Sequence, residues 1–146
     1  MKRDEWARET AAQLRQAHKA ELKRWPQLEL EIWLRDDCRC VYCFRDMLQD
    51  FIITYHAYCY EHLLPEERYK DLATVSWNKV LACRDCNARK GRFDPAGSDI
   101  PPTVESRDRL VERVRDYIRP SRIRDEALYL QEREVLRSAL MLWKSG

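Results

Sequence analysis

Two C-x-x-C pairs, Cys40-Val-Tyr-Cys43 and Cys83-Arg-Asp-Cys86, carry the clearest chemistry in this chain. One tight turn presents the two sulfurs of each pair, and four thiolates make a closed tetrahedral site for a structural Zn²⁺. A redox dithiol is the other use of such a pair. Two pairs occur, however, and no thioredoxin-like strand–helix–strand pattern surrounds either. The gap between them is 39 residues, 44–82, against the roughly 15–20 of a simple zinc ribbon. Something folded must fill it. Cys38 and Cys59 stand outside the pairs and are expected to be inert thiols.

A second set of residues lies inside and just after that gap: Glu61-His62, Asn78 and Asn87. Cleaving a phosphodiester needs a water, a base to deprotonate it, and a cation to stabilise the charge that develops. His62 is a natural base because imidazole titrates near working pH. Glu61 and Asn87 offer hard oxygen donors suited to a catalytic Mg²⁺ or Mn²⁺. Asn87 follows Cys86 directly, so a structural zinc would also position the catalytic ion. On a strand, Glu61 and His62 point to opposite faces, and a bend is needed for both to reach one phosphate. Taken singly these residues are bland. An Asn after a knuckle often caps a helix, and a lone His is usually structural, which suits His18 and His56. The order of the whole set is what singles out His62.

Composition sets the frame. A chain of 146 residues, 45% hydrophobic, can bury one core. Its 27 Lys+Arg against 25 Asp+Glu leave a net charge of +2, so any nucleic-acid surface must come from local clustering. Arg84, Arg89, Lys90 and Arg92 form the one dense basic run, opposed locally by Asp85. No apolar run approaches the roughly 18 residues of a membrane span. The first residues, Met1 to Trp6, carry no apolar leader pattern. Reducing cytoplasm is therefore the expected compartment, where paired cysteines bind metal.

The elements that must hold these residues can be read from periodicity. Residues 4–25 predict one amphipathic helix ended or kinked by Pro26. Residues 28–35 predict a short helix, although the alternation Leu28, Leu30, Ile32, Leu34 would equally suit a strand, and Phe51–Tyr55, β-branched and aromatic, predicts a strand running towards Glu61-His62. A short turn carrying Asn78 and a second strand near Val80-Leu81 should follow, then a helix from Asn87. Residues 94–102 have linker composition. Residues 103–119 and 121–144 predict two helices broken at Pro120. The five tryptophans are expected as core or interface anchors. The organisation expected is an N-terminal helical region at 1–36, a core at 37–95 and a C-terminal helical extension at 96–146.

From about Cys40 to Pro95 the chain resembles the HNH endonuclease family, in its zinc-knuckle subgroup whose third motif residue is Asn. The residues that carry the resemblance are Cys40-Val-Tyr-Cys43, Glu61-His62-Leu-Leu-Pro65, and the run from Ser76 through Asn78, Cys83, Cys86 and Asn87 to Gly91. Glu61 stands where the family more often has Asp, and 66–71 replaces its Gly-Gly turn. The resemblance implies an α+β fold with a ββα-metal core, flanked by terminal helices. It implies a general base at His62, metal ligands at Glu61 and Asn87, a loop-ordering role for Asn78, and Lys90 near backbone phosphate. The expected activity is metal-dependent hydrolysis of DNA, double-stranded before other nucleic acids, with the basic run on its phosphates. The alternative is a zinc-stabilised nucleic-acid-binding or protein-adaptor module without turnover. The terminal helices suit homo-oligomerisation or docking in a larger nuclease system.

Overall fold

A computed structural model describes residues 2–145 of the chain. Helix α1 (Arg3–Ala17) packs on α2 (Gln27–Arg35), burying Ala7 and Ala11. The expected helix over 4–25 stops early. Beyond Ala11 no residue of α1 is buried, so nothing rewards further extension, and the chain turns back through 18–24 to set Trp25 on Trp33. Those two rings meet edge to face, with centroids 4.9 Å apart.

The first cysteine pair sits in a tight loop after α2. Asp37, Cys38 and Phe44 all take positive φ there. Such angles disfavour residues with a Cβ, and the loop is held by Cys40 N–H to Arg45 O (3.0 Å) and Phe44 N–H to Cys40 O (2.9 Å). Val41 N–H then donates to Leu81 O at 2.9 Å, docking this knuckle beside the strand that leads to the other pair.

Residues 51–55 correct the sequence expectation. They begin a helix, α3 (Phe51–His56), instead of a strand. The Asp50 side chain caps it by accepting from Ile53 N–H at 2.9 Å, satisfying a donor that helix starts leave open. Phe51 and Ile52 remain exposed, so β-propensity finds no partner sheet to act on. The strand comes later: β1 (Tyr58–His62) pairs antiparallel with β2 (Lys79–Cys83), Tyr58 opposite Cys83 and His62 opposite Lys79. Helix α4 (Arg84–Lys90) follows at once, starting three residues before the expected Asn87. Gly91 ends it at φ +51°, an angle that favours glycine.

The second correction concerns Pro120. Helix α5 runs unbroken from Arg107 to Ser145. Proline removes a single donor, and the first half of α5 is anchored by buried Leu110, Val111, Val114 and Ile118. The preceding segment, 94–102, packs inward through Pro95, Ala96 and Ile100. The molecule is thus α+β, with a two-stranded sheet and helices around one core that includes Trp33, Met47, Leu63, Leu81 and Val114. Among the described residues no helix is long and apolar enough to cross a membrane.

Candidate functional site

Both cysteine pairs converge. The sulfurs of Cys40, Cys43, Cys83 and Cys86 lie within 4.8 Å of one another, with three of the residues buried and Cys43 half-buried. Ligands at about 2.3 Å in a tetrahedron stand roughly 3.8 Å apart. Cys43 Sγ and Cys83 Sγ are 3.8 Å apart. Hydrogen bonding among the thiols, first with Cys40, lowers Cys83 to about 6 and Cys43 further, while Cys40 and Cys86 are pushed up by the same set of contacts. Four sulfurs this close cannot all ionise unless a cation sits among them, and the donor set and spacing suit zinc.

Backbone and arginine donors surround the cluster. Cys86 N–H points at Cys83 Sγ (3.4 Å), and Arg122 Nη1 donates to Cys86 Sγ at 3.2 Å. Such outer contacts orient thiolates and offset their charge. Arg122 comes from α5, so the C-terminal helix closes directly over the cysteine cluster. Arg89 adds to the same junction, bonding Asp125 (2.7 Å) and Ser121 (3.2 Å) on α5 and Asp85 (3.0 Å) on its own helix.

His62 ends β1 with its ring partly exposed. Its Nε2 lies 2.9 Å from Ala73 O. A carbonyl can only accept, so Nε2 carries the proton and Nδ1 is left as the basic nitrogen. Glu66 stands 3.9 Å from Nδ1. Asn78 orders the loop that supplies Ala73. Fully buried, it accepts from Leu64 N–H at 2.7 Å and donates to Leu64 O and Leu72 O at 3.2 and 3.1 Å.

Glu61 faces the other way, as strand alternation requires. Its side chain is buried, with Oε1 2.5 Å from Lys90 Nζ and Oε2 accepting from the Tyr42 hydroxyl. Burial pushes its pKa up, and the Lys90 ammonium pulls it back. Tyr42 is driven well above the ordinary phenol value, first by burial and then by Glu61, and so stays a donor. Asn87, half-buried on α4, carries its side chain near the Cys59 thiol of β1. As arranged, Glu61 and Asn87 do not form an open site for a divalent ion, because both carboxylate oxygens are engaged.

The basic run divides in the same way. Lys90, expected near phosphate, is 2% exposed and also donates to His62 O at 3.0 Å. Arg89 is held in its junction with α5. Arg84 and Arg92 remain on the surface. The correction has a common cause: α4 is amphipathic, and every third or fourth residue from Cys86 turns inward. The Asp85–Arg89 spacing of four already signalled an intrahelical pair.

Sequence reading missed Tyr42, Arg122 and a buried charge cluster around Asp36. Asp36 accepts from Arg35 (2.8 Å), Arg107 (2.9 Å) and Leu81 N–H (2.9 Å), joining α2, α5 and β2. Nothing in local spacing marks partners that lie 45 and 71 residues away.

The Lys90–Glu61 pair carries a prediction about stability. Lys90→Met leaves a buried carboxylate without its cation, which costs about 3–5 kcal/mol. The deficit should grow as pH rises through and above the raised pKa of Glu61, because only the ionised form is penalised. Chemical denaturation at acid and neutral pH measures both. An equal, small loss at the two pH values would show that the pair contributes nothing. No family model, no curated protein and no solved structure matches this chain, so what it does is read from its own residues.

Proposed function

We propose that this chain is a zinc-stabilised DNA endonuclease of the HNH type, with His62 as the general base. One observation carries the reading. The Ala73 carbonyl accepts from Nε2 of the partly exposed His62 ring, which leaves Nδ1 as the nitrogen able to take a proton in the neutral ring, at the end of β1 away from Cys83. His62 takes a proton from water, the hydroxide attacks phosphorus, and the 3′ oxygen leaves. Asn78 acts by holding the loop that positions Ala73. Exposed Arg84 and Arg92 supply phosphate contacts, which position a duplex without reading its bases.

Chemistry by a divalent ion fits the protein less well. Such an ion at Glu61 competes with the Lys90 ammonium. That engagement of Glu61 favours the second reading, a zinc-stabilised nucleic-acid-binding or protein-adaptor module without turnover. Nicking of supercoiled plasmid by zinc-loaded protein separates the two. Nicking by zinc-loaded protein, with or without added Mg²⁺ or Mn²⁺, that His62→Ala abolishes supports the nuclease. Folded, zinc-loaded protein that binds plasmid without nicking it selects the adaptor.

A further inference from the structure

Helix α5 makes its last bonds to the body of the protein through Arg122 and Asp125, and among the described residues none beyond Ile118 is buried. That stretch is two-thirds of a 39-residue helix. Protein helices draw most of their stability from burying an apolar face, and here the face has no cover within the chain. At 100° per residue, Leu128, Tyr129, Val135, Leu136, Leu142 and Trp143 fall on one side, with Ala139 at its centre. Val135 is 70% exposed, Leu142 76% and Trp143 84%. Together the face presents on the order of 1,000 Å² of side-chain surface, the same order as the roughly 800 Å² that each partner buries in a standard stable interface.

Charge and register indicate what covers it. Between Ser121 and Ser145, five cationic side chains stand against four anionic ones. So balanced a helix has no field to draw a polyanion, an anionic membrane or a strongly acidic protein. Its face is instead self-complementary, as a two-fold interface requires. Two copies laid antiparallel about the Val135–Leu136 bond set Leu128 on Trp143 of the partner subunit. Tyr129 then meets Leu142 of the partner subunit, and Val135 meets Leu136 of the partner subunit. Glu132, the one charge within the face, lies over Ala139 of the partner subunit, whose short side chain leaves the carboxylate a path to water. A parallel pairing sets two Glu132 carboxylates side by side, which is unfavourable.

We propose that this face is a homodimer interface, with α5 of one copy paired antiparallel with α5 of a second. The proposal is independent of any nuclease activity. Because Arg122 sits on each cysteine cluster, the pairing holds the two clusters about 40 Å apart, at opposite ends of the helix pair.

Sedimentation or light scattering of the full, zinc-loaded chain at tens of micromolar tests it. The expected result is twice the chain mass of 17.6 kDa. Leu136→Glu should give a monomer with unchanged zinc content, since Leu136 is exposed within the single chain and folding does not need it. Arg137→Glu, off the face, should remain dimeric. A wild-type monomer across that range overturns the proposal. So does a dimer that survives both Leu136→Glu and Val135→Glu, which would place the interface elsewhere.

Discussion

Cys83→Ser is expected to lose its metal and leave the protein largely unfolded at room temperature. Zinc at a site of this kind contributes roughly 10–16 kcal/mol in small finger peptides, as much as the whole stability of a domain. Cys83 has two further attachments. Its sulfur accepts from Cys86 N–H at the start of α4, and the residue closes the β1–β2 pairing opposite Tyr58. Losing the ion therefore releases the first knuckle, the end of β2 and the start of α4 together, along with the Arg122 contact that ties α5 to them. Metal content by atomic absorption, read beside far-ultraviolet circular dichroism, decides the matter. Full zinc occupancy with an unaltered melting curve would remove the cluster from its structural role.

Of the remaining substitutions, His62→Ala should have the largest effect on activity and little on fold. A positioned general base contributes on the order of 10²–10⁴ in rate, roughly 2.7–5.5 kcal/mol of barrier. The ring is partly exposed and has one close partner, the Ala73 carbonyl, so its loss costs little packing. Zinc content and unfolding midpoint should match wild type while nicking falls by at least a hundredfold. Nicking near the wild-type rate by such a protein would take His62 out of the mechanism.

The two substitutions differ in how visible their targets were beforehand. Paired cysteines announce themselves because each C-x-x-C turn is a local object, and convergence of two such turns follows once one ion must be shared. His62 and Asn78 were singled out by their order along the chain alone, and their catalytic role is a proposal. The second strand and the turn before it were legible too, since Val80 and Leu81 lie in a short apolar run behind Trp77-Asn78. Phe51–Tyr55 misled because side-chain type reports what a pleated surface accepts, and no such surface was offered there. Pro120 misled because contacts on both sides hold the helix across it: the buried anchors up to Ile118 are not visible as such in a string, nor are Arg122 on Cys86 and Asp125 on Arg89.

What the sequence by itself determined is therefore which four cysteines come together, and the α+β class. These depend on residue type and on spacing within a turn or a strand. What tertiary structure alone decided is which charges are free. Lys90, Arg89, Glu61 and Asp36 look alike as exposed ionisable residues in a one-dimensional string. Each is committed to a partner 28–71 residues away, such as Glu61 for Lys90 or Arg107 for Asp36. The reason is physical. Burying an ion is costly unless its counter-ion arrives with it, and only the folded chain brings the two together.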